Sequence, residues 1–177
     1  MRQIVVISGK GGTGKTSVVA ALAALARPVA LADCDVDTPD LEIVNAPTVL
    51  RTQAFSGGSK ARIVHDACCG CGRCTAVCRF DAVREAPGND VVGMTHAIDP
   101  LACEGCGACV SQCPARAIRF EPAENGAWFV SDTRFGPMAH ARLGPGEDNS
   151  GKLVSVVRDA AREAAAEAGL DLVLVDG

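Results

Sequence analysis

The chain has 177 residues, which is enough for one good hydrophobic core or two small ones, and its net charge at pH 7 is −4. The acidic balance argues against nucleic-acid binding, which needs a basic surface. The apolar run 18–26 is too short to cross a bilayer and no targeting segment is recognisable, so we expect a cytoplasmic protein without a membrane segment. Ten cysteines in that compartment predict metal ligands rather than disulfides.

The first predicted element is a strand at Ile4–Ile7, where four β-branched residues in a row indicate burial on both faces. A glycine-rich loop follows with the spacing Gly-x4-Gly-Lys-Thr, and a helix is predicted over Lys15–Ala26, ended by Pro28. A phosphate-binding loop requires this order of strand, loop and helix. The sequence therefore predicts a nucleoside triphosphate site.

Each residue type in the loop has a physical role. Glycines let successive backbone N–H groups point inward as an anion nest, and the helix adds its positive end. Lys15 would reach the β- and γ-phosphates, while the Thr16 hydroxyl would bind Mg²⁺. The predicted nucleotide-binding residues are Gly9, Lys10, Gly11, Gly12, Thr13, Gly14, Lys15, Thr16 and Ser17.

Lys10 is a second lysine at the start of the loop. With it, the loop resembles the deviant Walker A motif of MinD-type ATPases and of the nitrogenase iron protein. In that superfamily the first lysine crosses a dimer interface to the partner's nucleotide. The resemblance therefore implies catalytic roles for Lys10 and Lys15, an ATPase, and a dimer with a second copy or with a related ATPase.

A second short strand is predicted at Pro28–Ala32, and the acidic run Asp33–Asp37 lies at its carboxyl end. Ligands bind at that end of strands in open α/β sheets, so these carboxylates could hold Mg²⁺ or orient an attacking water. The resemblance implies that Asp33 and Asp35 bind Mg²⁺ and that Asp35 is catalytic. A solvated acidic turn is the alternative. Cys34 is expected to be a small packed residue.

Residues 41–55 begin apolar and become irregular, and Ser56–Ser59 is typical of a linker. An internal repeat follows, in which four cysteines spaced x2, x2, x3 recur after 35 residues. The match continues beyond the cysteines, since Ala82-Val83-Arg84 corresponds to Ala117-Ile118-Arg119. A duplicated unit is the natural interpretation.

The cysteine spacing resembles that of bacterial ferredoxins, in which the fourth cysteine of each run binds the cluster of the other run. The resemblance assigns one [4Fe–4S] cluster to Cys68, Cys71, Cys74 and Cys113, and a second to Cys103, Cys106, Cys109 and Cys78. Zinc is the rival metal, although structural zinc sites usually use separated pairs or include histidine. No histidine lies inside either run.

Several residues near the runs have no assigned role. Arg79 stands where the pattern has proline, and Cys69 is expected to be a bystander beside a ligand. For His65, His96 and His140 a surface or packed position is expected rather than metal binding.

Beyond residue 121 the parent fold is expected to resume, with strands at 128–130 and, less regularly, at 135–143. The glycine-rich stretch Gly144–Gly151 could be a second phosphate loop, but Glu147 and Asp148 would repel phosphate, so Asn149 or Ser150 is expected to cap a helix over Lys152–Ala168. A buried strand at 170–175 then leads to Asp176. This arrangement resembles a Walker B strand, with Asp176 placed to sense Mg²⁺ or the terminal phosphate.

The predicted fold is α/β, the N-terminal part of a parallel-sheet P-loop NTPase with an inserted ferredoxin-like α+β domain carrying two [4Fe–4S] clusters. The predicted domains are residues 1–58, 59–121 and 122–177. Three predicted parent strands and two helices cannot cover a parallel sheet. We therefore expect the chain to be part of a longer protein, or a truncated form that needs a partner and lacks ATPase activity alone.

Taken together, the motifs resemble MinD-superfamily P-loop ATPases with an inserted ferredoxin domain, such as Mrp-type iron–sulfur ATPases. The resemblance implies ATP/ADP, Mg²⁺ and two [4Fe–4S] clusters as cofactors, with nucleotide state coupled to electron transfer to a redox partner protein. Two alternatives stay open at this point. One is an ATPase that assembles or carries clusters, and the other is a MinD-like positioning ATPase with structural clusters.

Overall fold

The computed structural model describes residues 1–10, 12–145, 147 and 151–177. These residues form two compact units, Met1–Phe55 with Glu124–Gly177, and Ser56–Ala123, called here the sheet unit and the cysteine unit. The sheet unit begins with β1 (Arg2–Val6), α1 (Lys15–Ala26), β2 (Ala30–Asp33), α2 (Leu41–Asn45) and β3 (Thr48–Phe55). The cysteine unit contains β4 (Gly58–Ile63), a 3₁₀ turn (His65–Ala67), α3 (Arg73–Val77), β5 (Val83–Pro87), β6 (Met94–Ile98), α4 (Ala108–Gln112) and β7 (Ile118–Ala123). The sheet unit resumes with β8 (Gly126–Thr133), β9 (Gly136–Leu143), α5 (Gly151–Glu167) and β10 (Leu172–Asp176).

The sheet unit is built on a six-stranded sheet in the order β1-β10-β2-β9-β8-β3. The first four strands of that order are parallel, whereas β8 runs antiparallel to both β9 and β3. The result is an α/β fold with a mostly parallel central sheet.

Two hydrophobic cores hold helices against the sheet. One contains the buried face of α5, where Leu153 and Val157 are followed by alanines that allow close packing on β2 and β10. The other contains Val19 and Ala23 of α1 against Leu31 of β2. Both helices therefore fix the carboxyl ends of the parallel strands, where a ligand site is expected.

The prediction that the first strand is buried on both faces was wrong. β1 lies at the edge of the sheet, and β10 is its neighbour among the described strands. The side chains of Ile4 and Val5 are 47% and 48% exposed, and Ile7 is 77% exposed. A run of β-branched residues indicates a strand, but it does not show how many neighbours the strand has.

Regular structure is more extensive than predicted. The stretch described as irregular contains α2 and the eight-residue β3, whose exposed polar residues suit a strand at the sheet edge. The expected linker is also shorter, because Gly58 already pairs with Ala123 in the β4–β7 ladder. Residues 136–143 form a regular strand between β2 and β8. The predicted helix caps Asn149 and Ser150 lie outside the described residues.

The cysteine unit repeats itself in structure as well as in sequence. Each half contributes one short helix, and α4 begins 35 residues after α3. The strand β7 likewise begins 35 residues after β5. Its strands form two antiparallel pairs, β4–β7 and β5–β6. The buried core is small and includes Cys74 beside Ala61, Val83 and Ile118, while four more cysteines pack around it. A core of this size needs additional cross-links for stability.

Candidate functional site

A cleft lies where the loop after β1 turns into α1, at the carboxyl end of the parallel strands. Gly12 and Gly14 have φ of +76° and +86°, a conformation that glycine adopts without strain. The lining includes Ser8, Gly9, Lys10, Gly12, Thr13, Gly14, Lys15, Thr16, Ser17, Asp35, Thr38, Asp40 and Gly177. Eight of the nine predicted nucleotide-binding residues therefore line one cleft, and Gly11, the ninth, lies outside the described residues.

Lys15 is held at the floor of this cleft by two carboxylates. Its Nζ lies 2.8 Å from Asp35 Oδ2 and 2.9 Å from Asp176 Oδ1. Burial opposes the charge, but the hydrogen bonds and negative charges of both aspartates outweigh it and raise the pKa of Lys15. Burial likewise opposes ionisation of Asp35, yet hydrogen bonds from Lys15 and Thr38 outweigh it and lower its pKa. The lysine and Asp35 are therefore both charged at neutral pH.

Asp176 ends β10 and joins the loop to the sheet. The Thr16 hydroxyl donates to its Oδ2 at 2.7 Å, while its Oδ1 faces Lys15. The Asp176 side chain is 1% exposed, so its two charged or polar partners compensate for its burial. The geometry thus brings together three residues that sequence reasoning assigned to phosphate and Mg²⁺.

Asp33 occupies a different position from the one expected of a direct Mg²⁺ ligand. Its carboxylate is fully buried outside the cleft lining, and it accepts backbone N–H groups from Asp35 at 3.3 Å and Leu41 at 3.1 Å. Burial, followed by the nearby charge of Asp176, raises the pKa of Asp33 to about 7. In this structure Asp33 shapes the loop that carries Asp35, and its role toward Mg²⁺ stays a prediction.

Lys10 and two residues that sequence reasoning missed complete the rim. Lys10 is exposed at the mouth of the cleft. Thr38, whose hydroxyl donates to Asp35 Oδ1 at 3.0 Å, and Asp40 also line the cleft. Both follow the acidic run at the end of β2, so their place in that loop was the available signal.

Two apolar cavities lie in the cysteine unit. The first cavity is bordered by Cys68, Cys71, Cys74 and Cys113, together with Ile63, Cys69, Gly72, His96, Ala117 and Ile118. The second cavity is bordered by Cys103, Cys106, Cys109 and Cys78, together with Ala61, Phe80, Ala82, Val83, Ile98, Glu104, Gly105, Gly107 and Ala108. Each cavity is therefore walled by three cysteines of one run and the fourth cysteine of the other.

Backbone N–H groups donate hydrogen bonds to two of the cysteine sulfurs. Cys78 Sγ accepts the N–H of Ala82 at 3.4 Å, and Cys113 Sγ accepts that of Ala117 at 3.3 Å. Gly72 lies between cysteines in a left-handed conformation, with φ of +69°. Such N–H donors stabilise thiolates, the form of cysteine that binds metal.

In the described part of the chain, no three His, Cys, Asp or Glu side chains converge closely enough to hold one metal ion. A structural zinc site brings its ligands to one tetrahedral point with Zn–S distances of about 2.3 Å. A [4Fe–4S] cubane instead receives each of four thiolates on a different iron, so the sulfurs surround a larger body. The four cysteines of each predicted set border one cavity, and the metal that they hold stays a prediction.

A buried Ser–His–Glu chain lies elsewhere in the sheet unit. Ser131 Oγ and His140 Nε2 are 2.9 Å apart, and His140 Nδ1 lies 3.0 Å from Glu42 Oε2. Burial is the main reason that the pKa of His140 is lowered. Ser131 is completely buried, so it cannot act as a nucleophile toward a substrate, and the chain is a packing feature.

Among the described residues, no helix has the length and the apolar character that crossing a membrane requires.

Comparison with known proteins agrees with the cleft. Residues 4–174 match the family model described as the CobQ/CobB/MinD/ParA nucleotide binding domain. The chain is also 32% identical over 178 aligned residues to the uncharacterized protein MJ0578 of Methanocaldococcus jannaschii. That alignment covers 95% of the chain and 58% of the relative, so the chain spans little more than half of the relative's length.

Proposed function

Since the chain belongs to the CobQ/CobB/MinD/ParA nucleotide-binding domain family, we propose that it is an ATP-binding iron–sulfur protein that couples nucleotide binding or hydrolysis to electron transfer through two [4Fe–4S] clusters. The observation that carries the proposal is the pair of apolar cavities, each walled by a complete set of four cysteines. The same chain carries a phosphate-binding cleft. Coupling is proposed because one chain contains both features.

The cleft supports the nucleotide half of the proposal. Loop amides and the amino end of α1 would bind the phosphates, and Lys15 would exchange its two carboxylate partners for phosphate oxygens. That exchange frees Asp35 to orient a water for attack on the terminal phosphate. Thr16 would then turn its hydroxyl from Asp176 to Mg²⁺, with Asp176 behind it. Nucleotide binding would thus rearrange the ion pairs of the cleft.

The cysteine unit supports the electron-transfer half. The clusters would supply one-electron redox chemistry when bound. The chain's own residues hold them through thiolates, donate backbone N–H groups to Cys78 and Cys113, and exclude water with apolar side chains such as Ile63 and Ile98. Each of these contributions affects the stability and the reduction potential of a cluster.

The proposed partners are a second copy or a related ATPase, and a redox protein. Lys10 is exposed at the cleft rim, and no carboxylate among the described residues is within ion-pair distance of it. Its ammonium group is therefore available to a nucleotide bound by a partner. This supports a nucleotide-dependent dimer.

A second candidate function is delivery of clusters to other proteins. It is favoured by the exposure of Cys71 in the first set and Cys106 in the second, because a donor must release its ligands to an acceptor. In that case the protein would lose iron and sulfide to a chelator during desalting, whereas a resident redox centre would retain them.

Anaerobic purification followed by EPR of the reduced protein, with and without Mg-ATP, tests the proposal. We expect about eight iron atoms per chain and an EPR signal whose shape or potential changes with Mg-ATP. Absence of iron and sulfide after anaerobic reconstitution would overturn the cluster assignment. Two intact clusters whose EPR signals do not change with Mg-ATP would overturn the coupling.

A further inference from the structure

The two cysteine cavities correspond residue by residue under the shift of 35 positions that relates the cysteine runs. Besides the ligands, Ile63 corresponds to Ile98, Gly72 to Gly107, Ala82 to Ala117 and Val83 to Ile118, and all eight residues border their cavities. Lining positions that break the correspondence chemically are therefore informative. At two pairs both members border their cavities but differ chemically: His96 borders the first cavity where Ala61 borders the second, and Cys69 borders the first where Glu104 borders the second. The second cavity is also bordered by Phe80, Gly105 and Ala108, whose counterparts do not border the first.

His96 is buried at the wall of the first cavity. It lies on β6, it is 6% exposed, and its Nδ1 is buried without a hydrogen-bond partner among the described residues. A Cβ placed on Gly72, in the loop between Cys71 and Cys74, would lie 4.0 Å from Nε2 of the same ring. A buried ring nitrogen without a partner is costly, and because the His96 ring borders the cavity, a group bound there would offer the ring a hydrogen-bond partner. The second cavity has only the methyl group of Ala61 at that place.

We infer that the cluster held by Cys68, Cys71, Cys74 and Cys113 has the higher reduction potential of the two, because His96 donates a ring N–H hydrogen bond to one of its sulfurs. The inference rests on the proposed function. One-electron reduction adds a negative charge to a cluster, and a hydrogen-bond donor beside its sulfur stabilises that charge. No proton is transferred in this step.

The second difference acts in the same direction. Glu104, next to Cys103, places an exposed carboxylate at the second cavity, where a negative charge opposes reduction. One exposed arginine also stands beside a ligand of each set, Arg73 beside Cys74 and Arg79 beside Cys78. If a low-potential one-electron donor supplied a single electron to the protein, the cluster beside His96 would hold it in preference to the cluster beside Glu104.

A redox titration of the anaerobically reconstituted full chain, followed by EPR, tests the inference. Wild type should show two one-electron waves. His96→Phe keeps a ring but removes the donor, so the higher wave should fall until the two waves approach each other. We expect about a tenfold change in that cluster's reduction equilibrium, or about 59 mV for a one-electron couple. His96→Gln keeps an N–H donor and should restore most of the difference.

Two further measurements separate the causes. Glu104→Gln should raise the lower wave only, and His65→Gln, a matched change at a half-exposed histidine that borders neither cavity, should move neither wave. Pulsed EPR of wild type labelled with ¹⁵N-histidine should show a ring nitrogen coupled to one cluster, so the inference stays testable even if His96→Phe fails to fold.

The outcomes distinguish the inference from the function on which it rests. Protein without iron and sulfide contradicts both. Two clusters with equal potentials, a higher wave that is unmoved in His96→Phe, or no ¹⁵N coupling in wild type would overturn the inference and leave the proposed function intact.

Discussion

The sheet unit and the cysteine unit place their functional residues differently with respect to their cores. In the sheet unit the cores are apolar, and the charged residues Lys15 and Asp35 line the cleft instead. In the cysteine unit, by contrast, five of the cysteines belong to the core or pack against it: Cys74, Cys78, Cys103, Cys109 and Cys113. If the proposed clusters are bound, we therefore expect the sheet unit to be stable without its ligand and the cysteine unit to depend on the clusters for folding.

The largest expected effect is therefore selective unfolding on removal of iron. Because unit 56–123 has a small core, stripping iron from the reconstituted protein should abolish amide protection there and leave residues 1–55 and 124–177 protected. Hydrogen exchange with mass spectrometry measures both units in one sample. Equal loss of protection in both units, or none in either, would break the comparison.

The crossed walls predict which pairs of cysteines act together. Cys68→Ser and Cys113→Ser border the same cavity, so each should remove about half of the iron and the double variant should remove little more. Combining Cys113→Ser with Cys103→Ser should remove nearly all of it. Iron and sulfide analysis provides the measurement, and Cys69→Ser is the matched control that should keep full iron content. If Cys68→Ser with Cys113→Ser loses all the iron, the crossed assignment is wrong.

In the sheet unit, the nucleotide site can be tested by replacing Lys15, provided that the variant folds. Lys15→Ala should weaken ATP binding about 100-fold, because charge-assisted hydrogen bonds to phosphate contribute about 1.5–3 kcal/mol. Titration calorimetry with Mg-ATP measures the change, and far-UV circular dichroism checks that the fold is intact. Arg162→Ala, on the exposed side of α5, should bind ATP as wild type does. Equal affinity in Lys15→Ala would remove this lysine from the nucleotide site.

The smallest effect concerns the pH dependence of the sheet unit. Since the pKa of Asp33 is about 7 in the folded state, against an ordinary aspartate pKa of 3.8, the folded state binds the extra proton between these limits. Stability from this group is present at low pH and is lost as pH rises from about 4 to 7. Asp33→Asn should flatten that part of the profile in urea unfolding. If the profile of Asp33→Asn has the same slope as that of wild type between pH 4 and 7, the raised pKa of Asp33 is contradicted.

Local spacing explains what could be predicted from the sequence. The phosphate loop and α1 depend on residues within about fifteen positions of one another, and Lys15, Asp35 and Asp176 meet because parallel strands end at one edge of the sheet. The cysteine positions were equally legible, since both runs carry the same spacing.

Contacts that depend on strand neighbours could not be predicted. The exposure of Ile4 follows from the place of β1 in the sheet order, and the strand character of Thr48–Phe55 follows from pairing with β8, which is distant in sequence. The position of His96 at a cavity wall could not be predicted, because the sequence repeat is clear only from the cysteines onward. Its correspondence with Ala61 becomes visible when β4 and β6 are seen at equivalent cavity walls.

The shared walls of the two cavities also bear on how this unit could have changed since its duplication. Each half contributes one cysteine to the cavity of the other half. Residues 56–90 alone would therefore supply three cysteines of one set and a single cysteine of the other. Loss of the fourth cysteine from either half would leave the cavity of the other half with three cysteines. The cysteines of the two halves therefore depend on each other, although the halves differ at other lining positions such as His96 and Ala61.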